Sequence, residues 1–164
     1  MDKQIIKNII IEKQIAIPNY KLVHRDFLFG DKSNYILVGI RRAGKSYLLY
    51  QDIQTRLNKG EQSAQDILYI NFEDERLSSL KAEELGIILD SYMELYPGKH
   101  PLVYLDEIQN VEGWEKFARR LADSQYRVMI TGSNAKMEKR TTDTISRILH
   151  PRFRFALKPR SLCS

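Results

Sequence analysis

Cysteine is almost missing from this chain: there is one in 164 residues, Cys163, next to the last position. A lone thiol cannot close an internal disulfide, so a disulfide-stapled scaffold is excluded and a reducing compartment is compatible. Long apolar runs are missing too. The N-terminal stretch from Ile5 to Ile11 is broken by Lys7 and Asn8, which argues against a secretory leader, and no segment approaches the roughly 20 apolar residues of a membrane span. The expected location is cytoplasmic, with no membrane partner. Histidine is scarce, and His24, His100 and His150 stand apart from one another without the spacing of metal ligands or of a catalytic triad. Eight glycines and five prolines exclude collagen-like and low-complexity classes, and no internal repeat occurs.

What is present suits one soluble mixed domain: 43% hydrophobic and 29% charged residues, enough for a single packed core. The formal charge of +5 raises the question of nucleic acid. Basic residues are spread along the chain, however, apart from a terminal group of Arg152, Arg154, Lys158 and Arg160, and no aromatic-interleaved RNA motif accompanies them. Nucleic acid is therefore a weakly supported partner.

Short apolar runs alternate with segments of helical period, the pattern of a parallel sheet covered by helices. Strands are predicted at Tyr35–Val38, Ile67–Ile70, Leu102–Leu105 and Val128–Thr131, each apolar enough to be buried on both faces, with a weaker fifth at Phe153–Leu157. Between the first two, Leu49, Ile53 and Leu57 repeat at helical spacing until Asn58, Lys59 and Gly60 end the helix. Leu85, Ile88, Leu89 and Tyr92 form a second stripe, stopped by Pro97 and Gly98. Trp114, Phe117, Ala118 and Leu121 share a third face, with Arg119 and Arg120 pointing away. Residues 1–34 read as a helical segment leading into a core over residues 35–164.

The run Gly39-Ile40-Arg41-Arg42-Ala43-Gly44-Lys45-Ser46 fits the phosphate-loop pattern at every fixed position. A buried strand leads in and an amphipathic helix leads out through Tyr47, so backbone N–H groups and the positive helix end converge on a phosphate chain. Gly39 and Gly44 allow close approach. Lys45 supplies a mobile positive charge toward the β- and γ-phosphates, and the Ser46 hydroxyl is placed to complete the coordination of Mg2+. Arg41 and Arg42 lie within the loop and are given no catalytic role.

A second signal is Leu102-Val-Tyr-Leu-Asp106-Glu107, a strand whose C-terminal end presents two adjacent carboxylates. Asp106 suits a hard metal cation, largely through its water shell; Glu107 can orient or deprotonate an attacking water. Thr131-Gly132-Ser133-Asn134, after the fourth strand, offers short polar groups that could sense the γ-phosphate or the water, although Ser, Asn and Gly also make ordinary turns. Asn71, ending the second strand, is expected to reach Glu107 and hold it inactive until a partner arrives.

These blocks occur in order: the phosphate loop with paired arginines, Asn71-Phe-Glu-Asp-Glu-Arg76-Leu, Tyr104-Leu-Asp-Glu-Ile-Gln-Asn-Val-Glu-Gly-Trp114 and Ile130-Thr-Gly-Ser-Asn134. Together they resemble the AAA_14 family of bacterial and archaeal AAA+-type ATPases, from about Tyr35 onward. The resemblance implies a three-layer α/β/α P-loop NTPase core with strand order 5-1-4-3-2, Walker A at Lys45 and Ser46, Walker B at Asp106 and Glu107, and a sensor region at Thr131 to Asn134. Near the end the pattern departs: Pro151 stands where the family has Gly, and Arg160 where it has an apolar residue, while Arg152 matches the family's arginine, which could act on nucleotide or across a subunit contact. Family members also continue into a helical lid and a C-terminal domain beyond the fifth strand. The expectation is an ATP- and Mg2+-dependent ATPase of weak turnover in this form, able to self-associate through its core. The alternative is a nucleotide-dependent switch, or a non-catalytic ATP-binding fragment, acting through an unidentified protein or nucleic-acid partner.

Overall fold

The computed structural model describes residues 1–27, 29–30, 32–39, 44–133, 147, 149 and 151–157. Ile40, Arg41, Arg42, Ala43 and Asn134 lie outside the described residues. Helix α1 spans Lys3–Ala16, α2 Lys45–Asn58, α3 Gly86–Leu95 and α4 Glu115–Asp123. Strands β1 to β5 run over Asn34–Val38, Ile67–Asn71, Leu102–Asp106, Val128–Gly132 and Phe153–Leu157. All five strand segments expected from apolar runs are present; β1 begins one residue earlier, and β2, β3 and β4 each run one further.

The strands form one parallel sheet in the order β2-β3-β4-β1-β5, the expected order read from its other edge. Parallel strands need crossovers, and helices supply them on both faces. Side-chain alternation divides the core in two. Ile36, Val38, Leu68, Ile70, Val103, Leu105, Val128 and Ile130 face α1, α3 and α4, through Ile6, Ile9, Ile88, Tyr92, Phe117 and Leu121. Leu37, Ile67, Tyr69, Tyr104 and Met129 face the opposite way, onto Leu48, Leu49 and Ile53 of α2. This parity decides which polar side chains meet at the sheet's end, because residues two apart on a strand share a face.

The N-terminal segment is built into this frame. After α1 the chain rounds the β2 edge, where Gln14 Nε2 donates to the Ile67 carbonyl at 2.9 Å and Tyr96 donates to Gln14 Oε1 at 2.7 Å. It then lies along α2, whose Gln51 and Gln54 amides bind the backbone of Arg25, Phe27, Ile17 and Tyr20. Arg76, after β2, ties back to α1 by pairing with Glu12 at 2.8 Å while also pairing with Asp74.

Helix α2 ends as its sequence dictates: Gly60 takes φ 73°, a left-handed conformation that costs glycine nothing. Its docking is partly ionic. Asp52 Oδ2 accepts from Arg56 Nε at 2.9 Å and from the Tyr104 hydroxyl at 2.7 Å, with both charged side chains about nine-tenths buried. Burial, reinforced by the neighbouring carboxylate, raises the Tyr104 pKa well above the usual phenol range and keeps it a donor. Removing one partner of such a pair leaves an uncompensated charge. Asp52→Ala is therefore expected to lower stability by about 3–5 kcal/mol in urea unfolding; a loss below about 1 kcal/mol, the range of exposed pairs, would show that the network does not anchor α2.

Candidate functional site at the C-terminal edge of the sheet

Two of the sequence signals meet at one edge. In a parallel sheet every strand points its C-terminal end the same way, and α2 begins there because it follows β1. Gly44 precedes α2 with φ 78°, and this N-cap residue contributes no side-chain hydrogen bond to the helix start. Lys45 is 2% exposed and donates to the Gly39 carbonyl at 3.3 Å, so its ammonium folds back over the loop entrance. Ser46 is half-buried and Tyr47 is exposed. Gly39 continues the sheet, its N–H donating to the Gly132 carbonyl at 3.3 Å.

Asp106 ends β3 on the same face as Tyr104, toward α2, and is fully buried. Thr131 on β4 shares that parity, as does Tyr69 on β2. The consequence is a carboxylate held from both flanks: the Thr131 hydroxyl donates to Oδ1 and the Tyr69 hydroxyl to Oδ2. The Tyr50 hydroxyl lies 3.2 Å from that of Tyr69 and can donate to it, because the Tyr69 proton is given to Asp106. Burial pushes the Tyr50 pKa up to about 12 and that of Tyr69 well above the phenol range, the latter with help from Asp106. Both therefore remain donors at neutral pH.

Glu107 takes φ 55° and ψ 45°, a left-handed conformation costing roughly 1–2 kcal/mol for a residue with a Cβ. The bend at Glu107 ends β3. Thr131 supports the corner as well, since its Oγ1 accepts from the Glu107 N–H at 2.9 Å. The Glu107 carboxylate, 7% exposed in its residue, accepts at Oε2 from Ser133 Oγ and from Gln109 Nε2, both at 2.6 Å.

The expected Asn71–Glu107 bond is corrected here. Asn71 Oδ1 instead accepts from the Glu73 N–H at 2.9 Å, closing a turn after β2, and Gln109 and Ser133 supply the donors to Glu107. Thr131 and Ser133, expected to face nucleotide or water, have their hydroxyls engaged with Asp106 and Glu107. Arg152 is remote from this edge: it precedes β5, at the N-terminal end of the sheet, and binds Asp123 at the end of α4. Asp74 accepts from the Arg76 N–H at 3.0 Å in the turn that follows β2.

The matching family model, described as an AAA domain, covers residues 31–156. The chain belongs to the AAA_14 family. It is 36% identical over 140 residues to an uncharacterized protein of Methanocaldococcus jannaschii, across 84% of this chain and 30% of that protein. It is also 36% identical over 106 residues to an uncharacterized protein of Haemophilus influenzae, across 62% of this chain and 26% of that protein. The chain thus spans less than a third of the length of either relative. Membership makes it a nucleotide-binding, P-loop ATPase-like domain. No helix among the described residues is long and apolar enough to cross a membrane.

The residues present fit a nucleotide with a hard cation. One buried carboxylate and one hydroxyl at the start of α2 offer oxygen ligands, and Mg2+ is commonly held by one or two carboxylates together with phosphate oxygens and water. No cluster of three or more His, Cys, Asp or Glu occurs among the described residues, and such a site needs none. Tyr69 went unnoticed in the sequence, although its parity with Ile67 and its register beside Tyr104 could have placed it on the α2 face. Tyr69→Phe keeps the ring and removes the donor. The expected cost is about 1.5–3 kcal/mol in urea unfolding, the range for a hydrogen bond to a charged group; a cost under about 0.5 kcal/mol, typical of an indifferent substitution, would show that Asp106 does not depend on this bond.

Proposed function

We propose that this domain binds ATP together with Mg2+ and hydrolyses it. The observation that carries the reading is the corner formed by Asp106 and Glu107 at the sheet edge from which α2 starts, with Lys45 buried at that same edge. When bound, Mg2+ would neutralise charge that develops on the phosphates during phosphoryl transfer.

The chain's own residues have separable roles in this reading. The first-turn amides of α2 and the Lys45 ammonium bind the phosphate chain. Ser46 and Asp106 are the residues that would hold the metal. Asp106 is aimed by Thr131 and Tyr69, which leaves it little freedom to reorganise. Glu107 orients the attacking water and accepts its proton; its carboxylate is held by Ser133 and Gln109 while that of Asp106 is held by Thr131 and Tyr69, so one group serves the metal and the other the water. A base adjacent to the metal ligand is superfluous in a domain that only binds nucleotide, which favours hydrolysis over passive binding.

Equilibrium ATP binding and magnesium-dependent phosphate release, measured on the chain and two variants, test the proposal. Lys45→Ala is expected to lose most ATP affinity. Glu107→Gln is expected to retain binding and lose about 10²–10⁴-fold in turnover, the usual contribution of a general base. Full turnover by Glu107→Gln would remove Glu107 from the chemistry, and undiminished binding by Lys45→Ala would remove the phosphate-loop reading.

A further inference from the structure

Gln109 has no part in the chemistry described so far, yet its side chain is engaged with Glu107 as closely as that of Ser133. The turn Ile108–Asn110 follows directly from the left-handed Glu107 and is pinned at both sides: Ile108 and Val111 are buried in the core, and Asn110 Nδ2 donates to the Glu107 carbonyl at 2.9 Å. The tight turn throws Gln109 back over the residue two before it. There Nε2 donates to Glu107 Oε2 at 2.6 Å and lies 3.3 Å from Ser133 Oγ, which itself donates to the same carboxylate oxygen. The amide orientation follows from charge: its NH2 must face the carboxylate, because a carbonyl oxygen there would be repelled. That choice directs Gln109 Oε1 elsewhere, and this oxygen is buried with no hydrogen-bond partner among the described residues.

From this arrangement we infer that Gln109 is a positioning residue for the hydrolytic reaction: with Ser133 it fixes the Glu107 carboxylate through Oε2 and so presents Oε1 to the attacking water. The inference rests on the hydrolytic reading above and deepens it. Glu107 has three freely rotating bonds between its backbone and its carboxylate, and a base that wanders is a poor base. Two donors on one oxygen remove that freedom while leaving the other oxygen to accept the proton. In the step itself the water oxygen bonds to the γ-phosphorus as the bond to the β–γ bridging oxygen breaks, ADP leaves, and the water proton passes to Glu107 Oε1.

Positioning acts on the transition state and not on ground-state binding. Three quantities are compared in the wild-type chain, Gln109→Ala, Ser133→Ala, Ser133→Thr and Glu107→Gln: ATP affinity, the kcat and KM of phosphate release, and the affinity for ADP with aluminium fluoride and Mg2+, a mimic of the transferring phosphoryl group. Gln109→Ala is expected to lower kcat by about 10–100-fold, the scale of an ångström of misplacement, with KM and ATP affinity within about threefold and the mimic's affinity falling in parallel with kcat. Ser133→Thr keeps the hydroxyl and is expected to remain close to wild type, whereas Ser133→Ala follows Gln109→Ala. If Glu107→Gln is inactive but Gln109→Ala changes neither kcat nor the mimic's affinity, positioning by Gln109 is overturned while the general-base reading survives. A rise in turnover in Gln109→Ala also overturns it, because the bond then holds Glu107 back. A wild-type chain that neither releases phosphate nor holds the mimic more tightly than ADP alone removes both readings.

Discussion

A carboxylate taken wholly out of water is the constraint on which this structure turns. Asp106 is fully buried, and moving such a group from water into a protein costs several kcal/mol unless donors replace its hydration. The fold provides one donor from each neighbouring strand: Tyr69 from β2 and Thr131 from β4. Both arrive because the strands are parallel, in register and of matching parity. Thr131 then uses the other capacity of its hydroxyl on the Glu107 N–H, so a single side chain positions both acids. Displacing β4 by one residue would turn Thr131 to the other face and leave Asp106 short of a partner.

The support extends outward from this centre. Tyr69 meets Tyr50 of α2, whose ring packs edge-on against Tyr20 in the segment leading out of α1. Asp52, midway along α2, is held to β3 by Tyr104. The helix that carries Lys45 is thus joined to the strands that carry Asp106 and Thr131 by polar bonds as well as by Leu48, Leu49 and Ile53. Helix α1 lies wholly before the family-matched region 31–156, yet Ile6, Ile9 and Ile10 fill the opposite face of the same sheet. The segment ahead of the matched region is consequently part of the domain's core.

Much of this was legible in the sequence, for identifiable reasons. Strands buried on both faces leave apolar runs, and β1 to β4 were found on them to within a residue at each end. The phosphate-loop spacing and the Asp-Glu pair are strict patterns, and the structure brings the start of α2 and the end of β3 that they mark to one edge of the sheet. What the sequence hid depends on direction rather than composition. Asn71 was expected to reach Glu107 because it ends the neighbouring strand, but its short side chain satisfies its own turn first. Gln109 lay inside a recognised block and was overlooked, since nothing in the letters Glu-Ile-Gln announces that Glu107 takes a left-handed conformation and folds Gln109 back upon it. Arg152 matched the family's arginine in sequence pattern, while its place before β5 puts it at the far edge, with Asp123.

The account's central claim is that a metal–nucleotide complex sits where α2 begins and β3 ends. Manganese(II) in place of Mg2+ tests it most directly, because a paramagnetic ion broadens NMR signals steeply with proximity. In the presence of ATP, the account predicts broadening centred on Gly44 to Ser46, Asp106 to Gln109 and Thr131 to Ser133. Signals from Asp123, Arg152 and Phe153 at the opposite edge should stay sharp, and Asp106→Asn should weaken the effect. Broadening centred on that opposite edge, or broadening at the acids that is the same with and without ATP, would contradict it.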